Sequence, residues 1–124
     1  KMYLNKPVAY LVNDDIDEDG NIVNDLIPKD IPVLIMVQAN FCGHCTVAKP
    51  AFQTLANKNE GKIFCATIQG DGKEPGEEEL GERLSKLIPE FRGFPDYVLF
   101  KNGKFVQKHE GGRSLEALEK FVYS

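Results

Sequence analysis

Behind a polar start, residues 7–12 read Pro-Val-Ala-Tyr-Leu-Val. A β-branched and aromatic run after a proline predicts a strand. An acid-rich stretch then reaches Gly20-Asn21, and a short apolar segment at 22–27 is cut off by Pro28 and Pro32. Residues 33–37, Val-Leu-Ile-Met-Val, are apolar at every position. Such a run suits a central strand covered on both faces, as in a parallel or mixed α/β sheet. Val47, Ala48, Ala51, Phe52, Leu55 and Ala56 recur at steps of three and four, a helical stripe. Pro50 falls inside it and predicts a kink near the second turn. Residues 62–68 predict another strand. Residues 77–88 predict a helix with Leu80, Leu84, Leu87 and Ile88 on one side, stopped by Pro89. The runs 97–101 and 104–108 flank Asn102-Gly103, the strongest short-range hairpin signal. Ser114 is a good N-cap for a closing helix that carries Leu115, Leu118, Phe121 and Val122. The predicted order is strand, short helix, strand, helix, strand, helix, hairpin, helix, with a parallel half and an antiparallel half.

Composition narrows this further. The 124 residues, 42% of them apolar, suffice for one packed domain spanning 1–124. No apolar run is long enough to cross a bilayer, so no membrane role is expected. The visible start, Lys-Met-Tyr-Leu-Asn-Lys-Pro, has no apolar leader, which favours an intracellular location. A formal charge of −4 argues against a nucleic-acid binder. The acidity is concentrated: Asp14, Asp15, Asp17, Glu18, Asp19 and Asp25 form one group, and Asp71, Glu74, Glu77, Glu78, Glu79 and Glu82 another. Both groups read as solvated surface, because so many like charges cannot be buried together. Asp15-x-Asp17-x-Asp19-Gly20 copies half of a calcium loop, but Leu26 stands where the bidentate glutamate belongs. A turn is the expectation there.

The chemistry lies in Cys42-Gly43-His44-Cys45. Two cysteines three apart on a first helical turn bring their sulfurs within bonding reach. Cys42 falls where strand gives way to helix, so unpaired N–H groups and the positive dipole end face its sulfur. That favours thiolate over thiol, below the roughly 8.5 of a free cysteine. A protonated His44 adds positive charge, and a stabilised reduced form makes the disulfide a stronger oxidant. Gly43 lets the turn begin without crowding. Zinc needs two more ligands, and only Cys65 and His109 are spare, so no metal and no cofactor are expected. A purely structural bridge across so short a loop would stabilise little. Cys65, alone on an apolar strand, reads as inert packing.

The chain resembles the thioredoxin superfamily. The resemblance rests on the apolar strand before Phe41-Cys42-Gly43-His44-Cys45, on Pro50, on Arg92-Gly93-Phe94-Pro95, on Val98-Leu99-Phe100-Lys101-Asn102-Gly103, and on Gly111-Gly112 before the last helix. It covers nearly the whole chain. It implies a thioredoxin fold: a central mixed sheet of about four to five strands flanked by helices on both faces, with an acidic loop insertion around 70–88. Within the superfamily, Cys-Gly-His-Cys is similar to the catalytic domains of protein disulfide isomerases. The implied activity is thiol–disulfide exchange in protein substrates, with Cys42 attacking and Cys45 resolving. Phe41, Gly43 and His44 would tune the pair. Arg113 resembles an isomerase arginine that swings towards the second cysteine; as a plain surface cation it would have no such part. Phe94 and Pro95 would meet an extended substrate strand, with Pro95 cis.

Three departures bear on rate and range. Phe41 stands where tryptophan is usual, Met36 where a buried acid usually shuttles a proton for the second cysteine, and Asp96 where threonine is common. A carboxylate at 96 could repel the Cys42 thiolate, and Met36 carries no proton, so Arg113 or water would have to compensate. The leading expectation is a monomeric dithiol–disulfide oxidoreductase served by a redox-recycling partner. The alternative is a thioredoxin-like binding or chaperone module with little redox turnover.

Overall fold

A computed structural model describes residues 3–124. Five strands form one mixed sheet in the order β1-β3-β2-β4-β5. In chain order the elements are β1 (Ala9–Tyr10), β2 (Val33–Gln38), α1 (Gly43–Lys58), β3 (Phe64–Gln69), α2 (Glu77–Glu82), α3 (Leu84–Leu87), β4 (Asp96–Lys101), β5 (Lys104–His109) and α4 (Leu115–Tyr123). β1 and β2 run parallel to β3, whereas β4 is antiparallel to β2 and β5 antiparallel to β4. This is the thioredoxin arrangement, with the parallel and hairpin halves that the pattern predicts.

β2 is the central strand, and all six of its residues are buried. Alternation sends Leu34 and Met36 to one face, where Ala48, Phe52, Leu55, Leu118 and Val122 of α1 and α4 pack on them. Val33, Ile35 and Val37 point to the opposite face, against Leu80, Leu84 and Ile88 from the α2–α3 region. A continuous apolar run is what a doubly covered strand requires. α1 and α4 are also tied by polar contacts at their ends. Tyr123 donates to Asn59 Oδ1 at 2.8 Å, and Asn59 Nδ2 donates to Glu119 at 3.1 Å.

The hairpin turns on Asn102 and Gly103, whose φ values are 53° and 77°. Positive φ at both central residues is the geometry of a type I′ turn. Ser114 caps α4, its hydroxyl accepting from Ala117 N–H at 3.1 Å.

Two expectations are corrected. The predicted first strand shrinks to Ala9–Tyr10; Pro7 has no N–H to contribute, although Leu11 N–H still reaches Thr67 O at 2.9 Å. The helix predicted over 77–88 is two short ones, broken at Arg83. Arg83 Nη1 donates to Asn13 Oδ1 at 2.7 Å and to Ile16 O at 3.1 Å, and Nη2 to Asp17 O at 2.6 Å. Gly81 faces the main chain of Gly70 so closely that a Cβ there would stand 2.5 Å from its oxygen. Packing onto distant loops therefore fixes this segment. The short helix expected between the first two strands is the single turn at Asn13–Asp15.

The acid-rich stretch at 14–25 is a closed turn, as expected, bridged between Ile16 and Ile22. Two of its carboxylates are engaged within the loop. Asp15 accepts from Val12 N–H and Asn24 Nδ2, both at 2.8 Å, and Asp17 from the N–H groups of Asp19 and Asn21. Asp15 is buried, and so is Glu77 of the second acidic group. The expectation of a solvated surface fails at these two, because each is oriented by its own loop's hydrogen bonds.

Candidate functional site

β2 ends at Gln38 and α1 begins at Gly43, so Ala39–Cys42 turn the chain from sheet to helix. Cys42 is the N-cap of α1, and its Sγ accepts from Cys45 N–H at 3.2 Å. A sulfur thus occupies the place a serine or aspartate oxygen takes at ordinary helix starts, facing the free N–H groups of the first turn. The Cys42 thiol also donates to Phe94 O at 3.5 Å. Cys42 is half-buried, Cys45 fully buried, and neither is in a disulfide.

Burial is the main reason the Cys45 thiol is pushed up to about 12. Its hydrogen bond with Cys42 and the charge of Cys42 push the same way, whereas a hydrogen bond with the Ala39 backbone and the Lys49 ammonium oppose them. The two sulfurs are therefore unlike: one accessible at the helix tip, the other sealed beneath it. Gly43 and His44 are exposed on the first turn. Phe41 is 74% and Val47 82% exposed, which leaves apolar surface on both sides of Cys42. Phe41 meets Phe94 edge to face, with ring centroids 5.8 Å apart.

Phe94 and Pro95 sit opposite Cys42 on the loop that leads into β4. The peptide between them is cis, as the resemblance implied. A groove of about 300 Å³ runs beside them, lined also by Tyr97, His109 and Arg113. Arg113 is exposed, and its charge bears on Tyr97, which also feels Cys45. The Tyr97 hydroxyl is buried without a hydrogen-bond partner among the described residues, and burial raises its pKa. Asp96 does not face Cys42 as a bare charge, because Lys108 Nζ lies 3.6 Å from it and both side chains are largely out of solvent. Burial raises Asp96, and the Lys108 ammonium works against that rise.

Three contributors went unnoticed in the sequence. Asp71 accepts from Asn40 N–H at 2.9 and 3.1 Å and so clamps the turn that presents Cys42. Burial would raise Asp71, but those hydrogen bonds and one from Gln69 outweigh it and hold the carboxyl below its usual range. His109 Nε2 donates to Gly112 O at 2.7 Å and stacks on Phe121, fixing the loop that carries Arg113. Lys49 is the third. It lies in α1 at 1% exposure, on the row of Cys45, Ala48, Phe52, Leu55 and Ala56, which is the buried face. Val47, assigned to that face by its apolar character, is about 100° off it and points to solvent. The lysine's place four residues after Cys45 sets it on that buried face.

Cys65 is 2% exposed and is pushed up to about 12 by burial, and His109 is held by Gly112. Among the described residues no group of three or more His, Cys, Asp or Glu could hold a metal ion. No helix there is long and apolar enough to cross a membrane.

The thioredoxin family model matches residues 16–124. The thioredoxin-like protein 453L of Invertebrate iridescent virus 6 is 46% identical over 116 residues, which cover 85% of this chain and 83% of that protein. Protein disulfide-isomerase 2-3 of Arabidopsis thaliana is 28% identical over 104 residues, covering 84% of this chain but 22% of the isomerase. Human ERp44 superposes with a TM-score of 0.68 at 20% identity, over 98% of this chain and 30% of the human one, a likeness of fold. The chain belongs to the thioredoxin family of thiol–disulfide oxidoreductases.

Proposed function

We propose that the chain exchanges disulfides with protein substrates through Cys42 and Cys45, and that His44 poises the pair towards the oxidising and isomerising end of the family. The observation that carries this reading is Cys42 Sγ at the N-cap of α1, accepting from Cys45 N–H and set beside Phe94 O. The N–H groups of the first helical turn are directed at that sulfur, and in exchange the thiolate is the nucleophile. It attacks a substrate disulfide to form a mixed disulfide; Cys45 then attacks Cys42 Sγ and releases the substrate thiol. The reverse sequence oxidises a substrate dithiol. Exposed Phe41 and Val47, with Phe94 and Pro95 across from them, supply an apolar seat for an extended segment of substrate. The protein acts as a monomer, and a recycling partner restores its redox state.

His44 tunes the direction. A histidinium on the first turn favours the charged, reduced form and so raises the potential. Equilibration with a glutathione redox buffer tests this. The expected potential is nearer the about −180 mV of disulfide isomerases than the about −270 mV of thioredoxin, and His44→Pro lowers it by about 30 mV or more. A potential at the thioredoxin value that His44→Pro leaves unmoved would overturn the isomerase-like reading and leave simple reduction.

A further inference from the structure

Met36 stands where the resemblance places the buried acid that serves the second cysteine. Met36 is fully buried at the sheet centre, level with Thr67 of β3 and Tyr97 of β4. Resolving a mixed disulfide nonetheless requires the sealed Cys45 to become anionic. Burying an uncompensated charge is costly, so a compensating one is needed close by.

Lys49 is in position to supply it. A residue four on from Cys45 in the same helix lies on the same face, one turn away. It is among the largest fully buried side chains of the protein. Burial works against its ammonium form, and among the groups that favour that form are Cys45, Asp71 from the loop after β3, and Cys42 at the helix N-cap. The charged groups around Cys45 are Cys42, Lys49 and Tyr97, with Arg113 beyond the tyrosine. The charge of Lys49 thus bears on both sulfurs. We propose that Lys49 is the positioning residue that provides the buried positive charge against which Cys45 ionises when it resolves a mixed disulfide on Cys42. This rests on the dithiol reading above.

The mixed-disulfide stage is where the charge matters most. Once Cys42 is bonded to substrate it carries no charge, so its opposition to a Cys45 thiolate disappears, while Lys49 remains. In the step itself, the Cys45 sulfur bonds to Cys42 Sγ, and the bond from Cys42 Sγ to the substrate sulfur breaks. The electron pair leaves on the substrate sulfur, which ends as a thiol with the proton Cys45 gave up. No external oxidant or reductant is consumed.

An aromatic disulfide that releases thionitrobenzoate separates the stages. The first release reports attack by Cys42, and the second reports resolution by Cys45. In Lys49→Met the second release should slow by about tenfold or more at neutral pH, and its pH profile should move to higher pH by about one unit. The first release should change much less, and Lys49→Arg should restore the second to within about threefold. A folded Lys49→Met protein with an unmoved second-phase profile, or with both phases slowed alike, would overturn the proposal. If the first release fails in the unsubstituted protein, the dithiol reading is at fault instead. Should Lys49→Met not fold, the pair can be read from its other end, by carbon-13 titration of the Lys49 side chain. Cys45→Ala should lower its midpoint, by removing the thiolate that favours the ammonium; an identical midpoint in both proteins would contradict the coupling.

Discussion

Cys42→Ser is expected to abolish disulfide reduction and thiol oxidation, with a loss on the order of 10³-fold or more, while leaving the fold intact. A hydroxyl at the helix start keeps the cap, because serine accepts from the same N–H that Cys42 Sγ accepts from. What vanishes is an ionisable, polarisable nucleophile at the accessible tip of α1. Cys45 cannot replace it, since it is fully buried and burial holds it as a thiol. Stability and activity should therefore separate in this variant. Insulin reduction and the oxidation of a reduced peptide, each followed beside a denaturant melt, check both halves. Persistent turnover in the serine variant would transfer the chemistry elsewhere. Full loss together with unfolding would mean that the sulfur served as a structural cap.

Phe52→Ala is expected to have the largest effect on stability. Phe52 is fully buried on the inner face of α1, and its ring centroid lies 6.1 Å from that of Tyr97 on β4. It joins the helix that carries the cysteines to the strand that follows Pro95. Truncation removes the transfer free energy of the ring and leaves a cavity, a cost of about 3–5 kcal/mol. Against a total of about 5–15 kcal/mol that is a large share. The guanidinium midpoint should fall with little change in slope. A loss below about 1 kcal/mol would show that α1 is held mainly by its ends, through Asn59, Glu119 and Tyr123.

What was legible in the sequence is what local physics decides. The all-apolar run at 33–37 could be satisfied only by a strand covered twice. Asn102-Gly103 selects its turn through backbone conformations that few other residues adopt, and Ser114 caps its helix with its own hydroxyl. Cys42 and Cys45 were nominated by their spacing at a strand-to-helix junction, and the fold brings them together with Phe94, Pro95 and Phe41. Features set by distant partners were not legible. The break at Arg83 depends on carbonyls near residues 13–17. Asp71 looked like one acid in a solvated run, and only the tertiary fold lays it under Asn40. Lys49 was hidden by its charge, since lysine in a helix ordinarily points outward. The concern that Asp96 would repel the Cys42 thiolate overlooked Lys108, twelve residues further on, which the β4–β5 hairpin sets against it.

The most direct test of the account is capture of its intermediate. In Cys45→Ala the attacking sulfur remains but nothing can resolve it, so reaction with a disulfide-containing protein should stop at a covalent adduct. Mass spectrometry should find that adduct linked through Cys42 alone, and a reductant should release it. Absence of any adduct with the thiol intact, or a linkage through Cys65, would contradict the assignment of Cys42 as the exchanging sulfur.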